Sequence, residues 1–200
     1  MSDILFKNKY RIPSARAVWW NYGNSASYFV TICTKNKEHF FGEISSCQFE
    51  ASEIGKIAEK IWYEIPNQFP FIYLDTFVVM PNHIHGIILI DNRVTYADPP
   101  NDTSKAISEL PFLNAQPIDA VQKQCGGFAG DKNPMLSDNL SKAMRWYKAR
   151  VCFDARKLNK NFTWQPRFHD HIIRNESSYQ MISEYIIDNP KRWTVDKFYI

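Results

Sequence analysis

The sequence predicts an α+β fold, a central antiparallel sheet with helices packed on it. Three observations lead there. Runs of strand length, rich in β-branched and aromatic residues, recur at 27–34, 71–80 and 83–90. Apolar residues return at helical spacing in 51–65 and 175–190, and a long basic stretch at 137–158 has helical length. The resulting order is strand, helix, strand, strand, helix, strand, helix, with a hairpin at its centre, which is close to a split β-α-β arrangement.

Each element has its own local warrant. SYFVTICT (27–34) reads as a strand, and the following HFFGEI either extends it or pairs with it. ASEIGKIAEKIWYEI (51–65) puts Ile54, Ile57, Ala58, Ile61 and Trp62 on one helix face, and Pro66 and Pro70 punctuate its end. FIYLDTFVVM and HIHGIILI are strands separated by MPN, a link short enough for a hairpin. Residues 91–138 hold five prolines, the pair Gly126-Gly127 and little periodicity. They read as a mobile insertion with one short helix around 103–109. SDNLSKAMRWYKARVCFDARKL (137–158) is a long basic helix with Ser137 or Asp138 as N-cap. DHIIR (170–174) is a short strand. NESSYQMISEYIIDNP is the closing helix, capped by Asn175 and stopped by Pro190.

Composition narrows the class. Two hundred residues, 44% hydrophobic and 15% aromatic, suit one globular domain over 1–200. No apolar run approaches the roughly 20 residues a bilayer requires, so no membrane partner is expected. The polar, charged start lacks a secretory core, which makes a cytoplasmic protein the expectation. Cys33, Cys47, Cys125 and Cys152 are scattered, with no C-x-x-C pair, and read as free thiols. The net charge of +3 is mild, but its distribution is uneven. Between Asn139 and Arg174 nine Lys/Arg face only Asp154 and Asp170, interleaved with Trp146, Tyr147, Phe153, Phe162, Trp164 and Phe168. That block is either a phosphate-tracking, base-stacking surface or a solvated helix face with an apolar underside.

The chemistry-bearing stretch is MPNHIHGIILI (80–90). Alternation along a strand sends His83 and His85 to one face and Ile84 to the other. Two neutral imidazoles on one face are half of a metal site, and a third ligand has to come from elsewhere.

VVMPNHIHGIILI resembles the HUH signature (histidine, hydrophobic, histidine) of the single-tyrosine HUH transposases, above all the branch of REP-associated tyrosine transposases. FTWQPRFHDHIIRNESSYQMISEYIIDNP (162–190) is similar to that branch's Trp-Gln-Pro-Arg-Phe segment, its His-Ile-Arg-Asn stretch and its closing helix ending Tyr-Ile-x-x-Asn-Pro. The matches cover most of 25–193 and fail over 91–138. The resemblance implies a ferredoxin-like HUH nuclease fold. It also implies a metal-dependent single-stranded DNA transposase or endonuclease, which cleaves and rejoins hairpin or repeat ends through a 5′-phosphotyrosine. The implied cofactor is Mg²⁺ or Mn²⁺, and the implied partner is single-stranded or hairpin DNA.

The implied nucleophile is Tyr185, four residues before Asn189 and so on the same helix face. Tyr179, six residues earlier, turns about 240° away and reads as packing. Without the resemblance Tyr185 would also read as a packed aromatic, amid Met181, Ile182, Ile186 and Ile187. Asn189 is the implied third ligand beside His83 and His85. It precedes Pro190, which pushes the backbone out of the helical region, so its amide either swings toward the site or ends the helix. His169 and His171 form a second H-x-H, read as structural or DNA-contacting. Arg145, Lys148, Arg167 and Arg174 are the expected phosphate contacts. A transposase-derived DNA-binding protein that does not cleave is the alternative. A metal-dependent hydrolase on the same histidines is weaker, because no second His/Asp cluster completes its site and Tyr185 has no role. Monomer and homodimer, with the tyrosine acting in cis or in trans, both remain open.

Overall fold

The computed structural model describes residues 20–46, 48–94 and 138–200. Most of the predicted insertion (95–137), with its short helix, Ser137 and Cys125, lies outside the described residues, as does Cys47. Four strands form the main sheet: β1 (Ala26–Cys33), β4 (Ile72–Met80), β5 (His83–Ile90) and β6 (His169–Ile173). Their spatial order is β4-β5-β1-β6, and the pairings are all antiparallel. Met80 pairs with His83 across a two-residue link, so the predicted central hairpin is present. The order places the two outer strands beside the central pair, as in the split β-α-β arrangement.

The HFFGEI segment does not extend β1. Its end forms β2 (Gly42–Ser45), which pairs with β3 (Gln48–Ala51) in a separate two-stranded ribbon. The reason is local. After Cys33 the chain enters a 3₁₀ turn over Lys35–Lys37, with Asn36 and Lys37 both at φ 55°, a left-handed geometry that breaks a strand. Phe41 then turns fully inward, its N–H bonded to the Pro81 carbonyl at 3.0 Å.

Helix α1 (Glu53–Tyr63) starts at Ser52, whose hydroxyl accepts from the Gly55 N–H at 3.0 Å, and a short α2 (Ile65–Gln68) follows. Helix α3 (Leu140–Leu158) is capped by Asn139, which accepts from the Lys142 N–H at 3.0 Å. The predicted cap at Asp138 is displaced because its carboxylate pairs with the Lys142 ammonium instead, at 2.8 Å. Helix α4 (Glu176–Asp188) is capped by Asn175 as expected, through the Ser178 N–H at 2.8 Å.

The sheet has two different faces. Tyr28, Val30 and Ile32 of β1, with Ile84, Ile88 and Ile90 of β5, pack under α1 and α3 in the main core. Trp62 lies flat on Phe77 at 4.5 Å and over Gly86, where a Cβ would come within 2.4 Å of the indole. The glycine after the histidine pair is therefore demanded by the opposite face of the strand. On that other face α4 covers Tyr73, Ile87 and Leu89 with Ile186. Of the aromatics in the basic block, Tyr147, Phe162 and Trp164 are buried, and Trp146 and Phe168 pack against the core. Phe153 alone is exposed, at 63%. The apolar-underside reading of that block holds, because its rings build the core rather than a stacking surface. No helix among the described residues is long and apolar enough to cross a membrane.

Candidate active site

Strand alternation on β5 drives Ile84 into the main core and turns His83 and His85 to the α4 side. Both imidazoles are fully buried, with their Nε2 atoms 3.0 Å apart. Neighbouring side chains set the rings. The Asn82 amide nitrogen donates to the carbonyls of Lys37 (3.1 Å) and Phe198 (2.9 Å). Its oxygen therefore faces His83 Nδ1, at 2.8 Å, and can only accept. His83 accordingly carries its proton on Nδ1 and presents a bare Nε2. His85 Nδ1 lies 2.8 Å from the Thr31 hydroxyl on the adjacent strand, which can serve either tautomer.

Burial keeps the pair neutral. It pushes the His83 imidazole down to about 3, and the charges of Lys197 and Lys37 act in the same direction. Burial, then the His83 charge, holds His85 well below the usual histidine range. Neutral imidazole is the form that ligates metal.

Tyr185 enters this site from α4. Its hydroxyl stands 3.3 Å from His85 Nε2, and the two rings lie 5.3 Å apart. Of the apolar neighbours that might have enclosed it, Ile186 is buried but Met181 and Ile187 are 63% and 62% exposed. The phenol is thus half-buried at the margin of the core, with its oxygen in the polar site. Burial, followed by the Asp196 charge, raises the phenol to about 12. Tyr179 packs in the apolar cluster under α4, as expected.

Asn189 departs from expectation in its backbone. It stays helical, at φ −56° and ψ −42°, and Pro190 opens a 3₁₀ turn over Pro190–Val195 rather than ending helical structure. A proline fits the first position of such a turn, where its missing N–H would bond to nothing. The turn brings the chain back over the site and delivers Asp196. The Asp196 carboxylate accepts from the Tyr185 hydroxyl (3.3 Å), the Asn189 amide (3.2 Å) and the Phe198 N–H (2.6 Å). Asn189 is 1% exposed, and its Oδ1 is buried with no hydrogen-bond partner among the described residues.

These residues fit a divalent ion. His83, His85 and Asp196 each offer a ligand atom, all within 4.8 Å of one another. Two cis ligands on bonds of about 2.1 Å stand about 3 Å apart, which is the Nε2–Nε2 spacing found here. The orphaned Asn189 oxygen adds a further donor beside them. Asp196 is the residue that sequence reasoning missed. It lies in WTVDKFY, beyond the last helix, where neither periodicity nor motif marks it.

The other predicted residues are spread out. Arg145 is on the exposed side of α3, in the layer across the sheet from the histidines. The Lys148 ammonium donates to the carbonyls of Gln165 (2.8 Å) and Arg167 (2.6 Å), holding the segment that leads into β6, and burial pushes its pKa down to about 8. Arg167, at φ 66°, and Arg174 flank β6 on the exposed surface. His169 lies directly across Thr31 from His85, exposed on the outer strand, and His171 follows on the same face. In the Trp-Gln-Pro-Arg segment, Trp164 bridges to Thr34 and bonds the Lys148 carbonyl at 3.0 Å, which is a structural role.

No family model matches the sequence. A Haemophilus influenzae protein described as uncharacterized is 37% identical over 188 residues, which span 94% of this chain and 92% of that protein. The solved structure of a REP-associated tyrosine transposase bound to a REP hairpin superposes with a TM-score of 0.53 at 18% identity, covering 93% of this chain and 77% of that one. The chain therefore belongs to the same family as the Haemophilus influenzae protein, and its fold is that of the REP-associated tyrosine transposase.

Proposed function

We propose that this protein is a single-tyrosine HUH transposase, a metal-dependent endonuclease that cleaves and rejoins single-stranded or hairpin DNA. One observation carries the reading: the Tyr185 hydroxyl stands 3.3 Å from the imidazole of a buried histidine pair whose nitrogens are spaced as cis metal ligands. His83, His85 and Asp196, with the Asn189 amide oxygen, would hold Mg²⁺ or Mn²⁺. Bound there, the ion would draw charge from a non-bridging oxygen of the scissile phosphate and lower the cost of ionising a nearby phenol.

The chain's own residues do the rest. Tyr185 attacks phosphorus in line, forming the phosphotyrosine bond as the bond from phosphorus to the 3′-oxygen breaks. The phenolic proton passes to Asp196, the carboxylate already hydrogen-bonded to it, and Asp196 returns that proton to the departing 3′-oxygen, which leaves as a hydroxyl. A second 3′-hydroxyl reverses the step and joins a new strand, because the phosphotyrosine retains the bond energy. The alternation of β5 and the cap of α4 keep nucleophile and ligands in one place.

The test is to incubate the protein with hairpin DNA bearing single-stranded flanks, with Mn²⁺ or with EDTA. A covalent protein–DNA adduct forms with Mn²⁺, is absent with EDTA, and disappears in Tyr185→Phe. An adduct that persists in that variant removes Tyr185 as nucleophile, and hairpin binding with no adduct in any metal supports a non-cleaving DNA-binding protein.

A further inference from the structure

Beside the metal-binding pocket lies a pair of cations that the proposed strand cleavage does not use. Lys37 ends the 3₁₀ turn after β1, and Lys197 follows Asp196. The Lys37 ammonium donates to the Lys197 carbonyl at 3.0 Å. It also sits 5.4 Å from the centre of the Phe198 ring, and the Lys197 ammonium lies 4.9 Å from the same ring. Phe198 in turn packs on His83, with ring centres 4.4 Å apart. One aromatic ring thus separates two ammonium groups from the buried histidines. Among the described residues neither lysine has a carboxylate partner in a salt bridge.

The arrangement is built rather than incidental. Lys37 and its neighbour Asn36 hold φ values of 55°, a left-handed geometry that asparagine takes readily but that lysine adopts rarely without support from its surroundings. Asn82 is one of the contacts that hold this turn. Its amide binds the backbone carbonyls of Lys37 and Phe198, and its oxygen orients His83. A single side chain therefore sets one metal ligand and the two lysine-bearing segments together. Asp196 is the carboxylate that the site brings near them, and it is already engaged by Tyr185, Asn189 and the Phe198 N–H, so the two ammoniums are left to attract a further anion.

We propose that Lys37 and Lys197 form a second phosphate site, which holds the backbone phosphate next to the scissile one on the DNA strand. The inference rests on the strand-cleavage reading and adds a position to it. The scissile phosphate lies at the histidine pair, the neighbouring phosphate is neutralised by the two ammoniums, and Phe198 spaces them. The contact reads no base, so it positions the strand without selecting its sequence.

Binding of a fluorescent single-stranded oligonucleotide, followed by anisotropy across a salt series in EDTA, tests this without any cleavage. On single strands each phosphate contact adds about 0.7 to the slope of log affinity against log salt. Lys197→Gln and Lys37→Gln should each lower that slope by about 0.7, while Mn²⁺ binding measured by calorimetry stays within about twofold of the wild-type value. Lys197→Gln is the cleaner variant, because among the described residues its ammonium makes no hydrogen bond, whereas Lys37 also ties the Lys197 carbonyl. An oligonucleotide with a neutral methylphosphonate at either linkage beside the cleavage position supplies the complementary arm. At one of the two positions it should bind wild-type protein no better than the natural strand binds Lys197→Gln. Unchanged slopes in both variants, or full affinity for both modified strands, overturn the second site while leaving adduct formation intact. Wild-type protein that neither binds the strand nor forms the Tyr185 adduct overturns the cleavage reading itself.

Discussion

Thr31 shows how much of the candidate site rests on residues behind the two histidines. Its hydroxyl is the partner available to His85 Nδ1, at 2.8 Å, and it sits in a fully paired central strand that cannot shift to compensate. Thr31→Val preserves shape but leaves that buried nitrogen unpaired. Loss of such an outer partner typically weakens metal affinity 10–100-fold, and calorimetric titration with Mn²⁺ should show a fall in that range without unfolding. Asn82 has the same standing for His83. It was visible in the MPN of the signature, but only the folded chain reveals that its amide grips two backbone carbonyls, one of them 116 residues away. Asp196 is the extreme case: no pattern in WTVDKFY announces it, yet its carboxylate joins Tyr185, Asn189 and the backbone of Phe198.

At the scale of elements, β5 answers to two masters. Its outward face carries the histidines and its inward face must admit Trp62, which is why Gly86 follows them. Gly86→Ala drives a methyl into the indole and should destabilise the protein by about 1–3 kcal/mol, the usual range for overpacking. Urea unfolding checks the loss, and tryptophan fluorescence reports the displaced Trp62. The end of β5 carries a second prediction. The Asp91 carboxylate is nearly buried, which by itself would raise its pKa, but three hydrogen bonds from Arg93 and that residue's charge more than offset the burial and leave it lowered. A lowered carboxylate contributes stability above its unfolded value, near pH 4, and loses it as pH falls through the folded value. Wild-type protein should therefore lose more stability between pH 5 and pH 2 than Asp91→Asn does. At pH 7 the variant should be weaker by about 1.5–3 kcal/mol, as expected for hydrogen bonds to a charged group. Denaturant melts at the two pH values decide both points.

Across the whole molecule, the sheet separates structure from chemistry. One face is closed by α1 and α3 with the aromatic core, and the other carries the histidines, Tyr185 and the returning 3₁₀ turn. The basic α3 belongs to the first layer, so Arg145 stands across the sheet from the histidines, whereas Lys37 and Lys197 stand beside Phe198 and their charges act on His83. Short-range periodicity carried the reading this far. Period-two and period-3.6 patterns located the main strands and helices within about three residues, paired His83 with His85, and put Tyr185 and Asn189 on one helix face. The small ribbon β2–β3 escaped because it depends on two left-handed residues that any side chain can occupy under constraint. The aromatics of the basic block were ambiguous because an apolar helix underside and a stacking surface have the same composition.

By itself the sequence determined the α+β order, the central hairpin and the shared face of His83 and His85, since each of these follows from neighbours a few residues apart, whereas Tyr185 was singled out by the family resemblance. The tertiary structure alone decided which oxygens lie beside the histidine pair, which amide orients His83 and which lysines stand nearby. Those choices arise when distant segments close on one another, from Lys37 at one end to Phe198 at the other, and no local repeat in a chain encodes where it will return.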